Sequence, residues 1–271
     1  MTPVNSPRVS IITPSYNQGQ FIEDTILSVL GQDYANIEHI VVDGGSDDGT
    51  IEILQRYDRQ IRWLSEPDHG QADAINKGLR MASGDILAYL NSDDTYLPGT
   101  ISLVVSQFLA HPDTGLIYGD CQAINREGLP FGIIHGHPFD VSRMIQRGEF
   151  IPQQAAFWRR EVVEKVGAFD VNLHFCMDHD FFIRAGCNFP GLYIPQVLAN
   201  FRFHTLSKSS SQEERHWREN MAVSRRYGLS RWSIWYWLRY VRHRGLRLLP
   251  QTLQKRIRKR LNRAHDPVLY S

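Results

Sequence analysis

Short apolar runs alternate with amphipathic segments along the first part of the chain. Apolar runs bounded by turn residues are typical of buried strands, and apolar residues spaced three or four apart are typical of helices. The pattern predicts strands over 9–13, 37–42, 61–64 and 86–90, and helices over 21–30, 51–57, 71–82 and 101–108. Strands alternating with helices in this way predict an α/β fold with a mainly parallel sheet.

Acidic side chains follow three of these predicted strands. Asp43, Asp68 and Asp93 each come directly after a strand or in the loop beyond it. Right-handed crossovers bring the carboxyl ends of parallel strands to one edge, where ligands of α/β sheets bind. Carboxylates there suit a divalent cation, and a cation suits a diphosphate. The alternative is that Asp93 and Asp94 only cap the next helix.

The common phosphate-binding loops are absent from the sequence. The glycines at 44, 45 and 49 do not form G-x-G-x-x-G, and no Walker A motif occurs. A dinucleotide fold or a P-loop is therefore disfavoured. Nucleotide binding by acids, a metal and the face of a tyrosine ring fits the polar strand ends better.

A set of motifs runs in order along much of the chain: TPSYN at 13–17, VDGGSDDGT at 42–50, EPDHGQ at 66–71, AINKG at 74–78, SGD at 83–85, LNSDD at 90–94, FWRR at 157–160, VGAFD at 166–170 and MDHDF at 177–181. With these motifs, the chain from Arg8 to about Ser211 resembles the family 2 glycosyltransferases. The resemblance implies a GT-A fold, in which helices flank a Rossmann-like, mostly parallel sheet.

The resemblance also assigns residues to a nucleotide-sugar donor, with UDP the commonest nucleotide. It implies that Pro14, Tyr16 and Asp43 hold the base and ribose, and that Asp68, Gly70, Asp73, Asn91 and Ser92 also contact the donor. The alternatives are packing for Tyr16, turn formation for 43–50 and helix capping for Asp68 or Asp73. Gly44 stands where the family often has a second acid.

The segment 91–93 falls where the family usually has D-x-D. The resemblance implies that Asp93 binds Mn²⁺ or Mg²⁺ and that His204 meets the metal or the diphosphate. The alternative for His204 is a structural role. Asn91 replaces the usual first acid, although an amide oxygen can still accept hydrogen bonds or bind a metal.

Asp178 falls where the family has its catalytic base, with Met177 in place of the usual glutamate. A carboxylate there would take the acceptor proton during a single displacement with inversion. Asp180 is the competing candidate, since two residues apart on a helix point in different directions. Gln153 and Gln154, in an apolar setting, are candidates for binding acceptor or sugar hydroxyls or, equally, for satisfying backbone groups. Arg202 and Lys208 are candidates for neutralising the diphosphate.

Charge divides the chain into an acidic body and a basic tail. Residues 1–213 hold 15 Lys+Arg and 26 Asp+Glu, a net charge of −11, whereas residues 214–271 hold 15 and 3, a net charge of +12. We therefore predict a catalytic domain over 8–211 and a helical tail over 212–271. Aromatic residues among arginines in the tail favour an anionic membrane surface as its partner. The alternative is that residues 232–240 of the tail pack on the catalytic domain. Binding to nucleic acid is not expected.

The resemblance to this family predicts an inverting, metal-dependent glycosyltransferase. From the habits of the family, its acceptor would be a saccharide or a lipid-linked sugar, in the synthesis of a surface polysaccharide or glycolipid. Three cysteines without metal spacing and the lack of a spanning apolar run favour a cytoplasmic protein, peripheral on the membrane at most. A non-catalytic family member and a sugar nucleotidyltransferase remain as alternatives.

Overall fold

A computed structural model describes residues 6–148, 150–204 and 213–247. Lys208 and the predicted domain boundary at 211/212 lie outside the described residues. The strands are β1 (Val9–Ser15), β2 (Ile37–Asp43), β3 (Arg62–Ser65), β4 (Ile86–Tyr89), β5 (Thr95–Tyr96), β6 (Leu116–Ile124), β7 (Pro130–Ile134), β8 (Ala156–Arg159) and β9 (Gly191–Arg202). The helices are α1 (Ile22–Leu30), α2 (Thr50–Arg56), α3 (Gln71–Met81), α4 (Thr100–Ala110), α5 (Val141–Arg147), α6 (Arg160–Val166), α7 (Met177–Gly186), α8 (Glu213–Arg226) and α9 (Ile234–Arg247).

The strands form one sheet in the order β3-β2-β1-β4-β8-β6-β9-β5, and β7 pairs with β6. The strands β3, β2, β1 and β4 are parallel, which confirms the predicted βαβ units. Strand β8 runs antiparallel to β4 and β6, β9 runs parallel to β6, and β5 pairs antiparallel with β9. The eight elements predicted for the first part of the chain are all present.

Helix α3 lies tightly against the centre of the sheet. All seven residues of β1 are buried, as expected of a strand covered on both faces. A Cβ built on Gly78 would lie 2.4 Å from Cγ2 of Ile12, so only glycine fits there. This close packing fixes the helix that follows the loop containing Asp68.

The parallel strands end at one edge of the sheet, as predicted. Asp43 ends β2 in register with Ser15 of β1, and Asn91 follows β4. Helix α4 begins at Thr100, after Gly99 in the left-handed region at φ +80°. The alternative that Asp93 and Asp94 cap this helix is therefore wrong.

The last two helices pack on the body of the protein. Helix α8 contacts α5 and α7, and α9 contacts α5. Within the described ranges, no helix is both long enough and apolar enough to cross a bilayer.

Candidate active site

Two loops at the sheet edge hold Tyr16 in an open position. The Asn17 N–H donates to Ser46 Oγ at 2.8 Å, and the Asp47 N–H donates to Asn17 Oδ1 at 3.0 Å. These bonds join the loop after β1 to the loop after β2. Tyr16 stays 62% exposed at this junction. An exposed aromatic ring on a fixed loop is suited to stacking on a base.

Asp43 lies beside Tyr16, but its carboxylate is occupied. Oδ2 accepts from the N–H groups of Gly45 and Ser46 at 3.0 and 2.9 Å and from Ser65 Oγ at 2.7 Å. Oδ1 accepts from Ser46 Oγ at 2.5 Å. Four donors from the protein thus engage both oxygens of the carboxylate. Asp43, which is fully buried, therefore shapes the loop instead of facing the ligand space.

Asp68 lies in the space that a side chain at position 44 would fill. A Cβ built on Gly44 would lie 2.7 Å from Asp68 Oδ2 and 3.3 Å from Cδ2 of Tyr16. The other oxygen, Oδ1, accepts from the Gly70 N–H at 2.7 Å, which orients the carboxylate. The absence of a side chain at Gly44 thus admits an acid from the next loop to the side of the tyrosine.

Asp93 and His204 form a pair at the end of β4. Nε2 of His204 lies 2.9 Å from Oδ2 of Asp93. Two ligands of a small cation, each about 2.1 Å from it, lie roughly 3 Å apart, so the pair fits a shared metal. Among the described residues, no group of three histidines, cysteines or carboxylates could hold a metal ion. The remaining ligands would then come from a diphosphate and water.

A buried polar network supports this pair from beneath. Asp94, fully buried, accepts from the Arg202 N–H at 2.9 Å and from Asn91 Nδ2 at 3.0 Å. Burial and the neighbouring Asp93 raise the pKa of Asp94 well above its ordinary value. Asn91 Oδ1 accepts from Gln71 Nε2 at 2.7 Å. Asn91 thus uses its amide within the protein, and Asp93 is the acid presented outward.

Arg202 is a part of the same support. Its side chain is 4% exposed. Nε donates to the backbone oxygen of Asp93 at 2.9 Å, Nη1 to the backbone oxygen of Arg126 at 2.8 Å, and Nη2 to Asp24 at 3.0 Å. The guanidinium, predicted to meet a diphosphate, is instead directed at protein acceptors and holds the backbone of Asp93.

Asp178 flanks the site from the first turn of α7. Its carboxylate is half-buried and accepts from the His179 N–H at 2.8 Å. Burial raises the pKa of Asp178 above its ordinary value. Tyr89, buried at the end of β4, has its pKa raised by burial and then by the charges of Asp178 and Asp94. Phe169 packs against Tyr89 with ring centroids 5.5 Å apart and stacks on Phe181 of α7 at 4.5 Å, so the helix that begins with Asp178 lies beside the end of β4.

Asp180, the competing candidate, is committed to structure. It is 1% exposed and accepts from Arg184 Nε at 2.8 Å, Arg226 Nη1 at 3.0 Å and Tyr227 Oη at 2.8 Å. Three donors surround its two oxygens, so it joins α7 to α8. This geometry leaves Asp178 as the acid at the start of α7 that can reach a ligand.

The loop before Asp178 is capped from α8. Glu219 Oε1 accepts from the N–H groups of Phe175 and Cys176 at 2.6 and 2.7 Å, and Oε2 accepts from His174 at 3.1 Å. Sequence reasoning missed this residue because its partners are backbone groups more than forty positions away. Gln71 ends the EPDHGQ motif, but nothing in the sequence indicates its bond to Asn91.

The other predicted residues occupy varied positions. Pro14 lies within β1, and Gly70 precedes α3 at φ +109°. Asp73 lies on α3 and pairs with Lys77 at 3.7 Å. Ser92, Gln153 and Gln154 are buried, and Gln153 donates to the Tyr89 carbonyl at 2.6 Å. The two glutamines therefore lie beneath the pair of Asp93 and His204 and not on an open acceptor surface.

The sequence profile described as Glycosyl transferase family 2 matches residues 10–167, which span the Tyr16, Asp68 and Asp93 loops. The chain belongs to this family. An uncharacterized glycosyltransferase of Mycobacterium tuberculosis (strain CDC 1551 / Oshkosh) is 31% identical over 204 residues, 73% of this chain and 76% of that protein. The putative teichuronic acid biosynthesis glycosyltransferase TuaG of Bacillus subtilis is 46% identical over 95 residues, 33% of this chain and 37% of its own length.

Solved structures show the same fold. Staphylococcus aureus TarS 1–349, in complex with UDP-GlcNAc, superposes with a TM-score of 0.65 at 19% identity, over 80% of this chain and 66% of that one. The mannosyltransferase PcManGT of Pyrobaculum calidifontis, in complex with GDP-Man and Mn²⁺, gives 0.63 at 22% identity, over 84% and 67%. The family 2 glycosyltransferase described here therefore has the predicted GT-A fold.

Proposed function

We propose that this glycosyltransferase moves a sugar from a nucleotide-diphosphate donor to a hydroxyl acceptor with inversion and with the help of a divalent metal. The observation that carries the proposal is the pair of Asp93 and His204 at the end of β4, with the half-buried Asp178 on the helix that packs beside the same strand end. A metal-binding pair and a separate basic carboxylate are the two parts that such a displacement needs.

The donor base stacks on Tyr16 and donates an N–H to Asp68 in this proposal. The exposed ring and the carboxylate beside Gly44 support this assignment. The complexes of the two fold neighbours with UDP-GlcNAc and with GDP-Man support a nucleotide sugar. Asp43 keeps the loop in shape through its four hydrogen bonds.

Asp93 and His204 hold the metal in this proposal. Bound Mn²⁺ or Mg²⁺ supplies positive charge for the leaving diphosphate. Arg202 acts through Asp93, because it binds the backbone oxygen of that residue and does not face the ligand. The Mn²⁺ present with PcManGT supports a divalent metal here.

Asp178 is the proposed general base. It takes the proton of the acceptor hydroxyl as that oxygen forms its bond to the anomeric carbon and the bond to the diphosphate breaks. Its raised pKa makes it a stronger base than an ordinary aspartate. Glu219 positions it by capping the loop before α7.

The proposed acceptor is a saccharide or lipid-linked sugar of a surface polysaccharide or glycolipid. The support is the relationship to TuaG, whose name places that protein in teichuronic acid biosynthesis.

A donor screen tests the proposal. We expect release of nucleoside diphosphate from one of a panel of UDP-, dTDP- and GDP-sugars, with Mn²⁺ or Mg²⁺ and not with EDTA. Asp93→Asn should abolish this release, whereas the control Asp113→Asn, an exposed acid elsewhere, should keep it. Lipid-linked acceptors are added if the soluble assay shows binding alone.

Two results would contradict the proposal. If the release of nucleoside diphosphate is insensitive to EDTA, the metal has no part in the reaction. If the protein binds the donor but shows no turnover with any acceptor, it is a non-catalytic member of the family.

A further inference from the structure

Helix α9 is held against the protein by one of its faces. The guanidinium of Arg147 lies 4.4 Å from the ring centroid of Trp235. The ring of His243 stacks on Trp217 with centroids 4.3 Å apart, and Arg239 donates to a carbonyl of α5 at 3.2 Å. These contacts span about two turns, so the rotation of the helix about its axis is fixed.

The opposite face of α9 carries an exposed apolar stripe. Ile234, Trp237, Leu238 and Val241 are 65%, 51%, 50% and 60% exposed. Their spacing of i, i+3, i+4 and i+7 is that of one helix face. Trp232, just before the helix, is 94% exposed. Contiguous exposed apolar residues of this kind mark an interaction surface.

We propose that this stripe docks the protein on an anionic lipid leaflet. The charge of the same stretch favours an anionic partner, because residues 229–247, which contain the stripe, hold five arginines and no Asp or Glu. Each basic residue near an anionic surface adds about 1 kcal/mol, whereas a second copy of the same surface would be repelled.

The geometry fits a helix that lies flat on the leaflet. Fourteen residues of helix extend about 21 Å, less than the roughly 30 Å of a bilayer core. The face with Trp235, Arg239 and His243 is already docked, so the helix can insert its stripe without leaving the protein. Aromatic and aliphatic side chains with arginines nearby are the composition of such interfacial helices.

Docking also bears on the acceptor, a consequence that rests on the proposed function. Helix α8, whose Trp217 packs on α9, also carries Glu219 and so holds the loop before Asp178. A leaflet bound at α9 therefore stands in a fixed relation to the candidate base, which suits a lipid-linked sugar.

Vesicle flotation of the full chain tests the docking itself. The vesicles contain phosphatidylcholine with or without phosphatidylglycerol. We expect binding to the anionic vesicles, reduced by salt, and a loss of at least about tenfold in the partition coefficient of the double variant Leu238→Ser with Val241→Ser. The matched control is Leu109→Ser on α4, a leucine 56% exposed, which should bind as wild type.

The second stripe variant, Ile234→Ser with Trp237→Ser, guards against a folding defect of the first. Wild-type binding by both double variants would overturn the proposal, as would a dimer in sedimentation velocity that both variants dissociate while vesicles do not bind. Neither outcome depends on turnover, so failure of docking and failure of the proposed function are distinguishable.

Discussion

Substitution of asparagine for each of the two acids at the start of α7 should have different effects: one change should lower stability and the other should lower turnover. Asp180 accepts from Arg184, Arg226 and Tyr227 and is 1% exposed. Removing one member of a buried charge network costs about 3–5 kcal/mol. We expect about 3 kcal/mol for Asp180→Asn, because the side chain of Arg226 is 50% exposed and can regain water. At about 2–4 °C per kcal/mol, Tm should fall by roughly 6–12 °C.

Asp178→Asn should have the opposite profile. Burial raises the pKa of Asp178 above its ordinary 3.8. The folded state therefore binds its proton more tightly than the unfolded state does. The stability from this group is present below pH 3.8 and is lost as the pH rises through the folded pKa. Near neutral pH the neutral asparagine costs nothing, and Tm should stay at the wild-type value or rise slightly. Turnover should fall by about 10²–10⁴-fold.

The assay combines thermal unfolding with turnover at saturating donor for wild type and both variants. The wild-type rate should fall on acidification at a higher pH than an ordinary aspartate would give, because Asp178 must be deprotonated to act. The reasoning fails if Asp178→Asn melts as far below wild type as Asp180→Asn does. It fails equally if Asp180→Asn keeps its Tm and loses turnover.

Three further substitutions test other parts of the structure. Gly78→Ala should lower the free energy of unfolding by about 1–3 kcal/mol in urea, because its Cβ would lie 2.4 Å from Ile12 Cγ2; an unchanged midpoint would contradict the close packing of α3. Glu219→Ala should lower kcat and leave the donor KM unchanged, because Glu219 holds the loop before Asp178, and Glu219→Gln should partly restore kcat. Equal changes in kcat and KM would show that Glu219 supports the whole fold and does not position Asp178. Gly44→Ala should weaken nucleotide binding by about tenfold in calorimetry, because its Cβ would lie 2.7 Å from the carboxylate of Asp68 and displace it. Wild-type affinity would contradict the proposal that Asp68 binds the base.

The sequence was sufficient for the parallel half of the sheet because its signal is local. Apolar runs and helical spacing placed β1 to β4 within a residue or two, and the strand ends placed Asp43 and Asp93 at one edge. The hydrogen-bond partners of each side chain were harder to predict from the sequence. The four donors on Asp43 come partly from Ser65, on the neighbouring strand β3, and the acceptors of Arg202 come from three separate segments.

Long-range partners explain most of what the sequence did not reveal. Glu219 meets a loop more than forty residues earlier, and nothing in its own neighbourhood indicates this. Gly44 did carry a signal. The related enzymes often have an acid at this position, and in this structure the carboxylate of Asp68, from the next loop, lies in the space beside the glycine.

The pairing of β9 with the rest of the sheet has a consequence for the order in which the enzyme is made. His204 meets Asp93 across 111 positions, and the Arg202 N–H meets Asp94 across 108. Contacts so distant along the chain close late, because the loop entropy must be lost first. A nascent chain would display the loops of Tyr16 and Asp68 well before Asp93 and His204 could meet. Chains released before β9 would lack the Asp93–His204 pair altogether, so this edge of the sheet is completed only after nearly all of the first 204 residues have been synthesised.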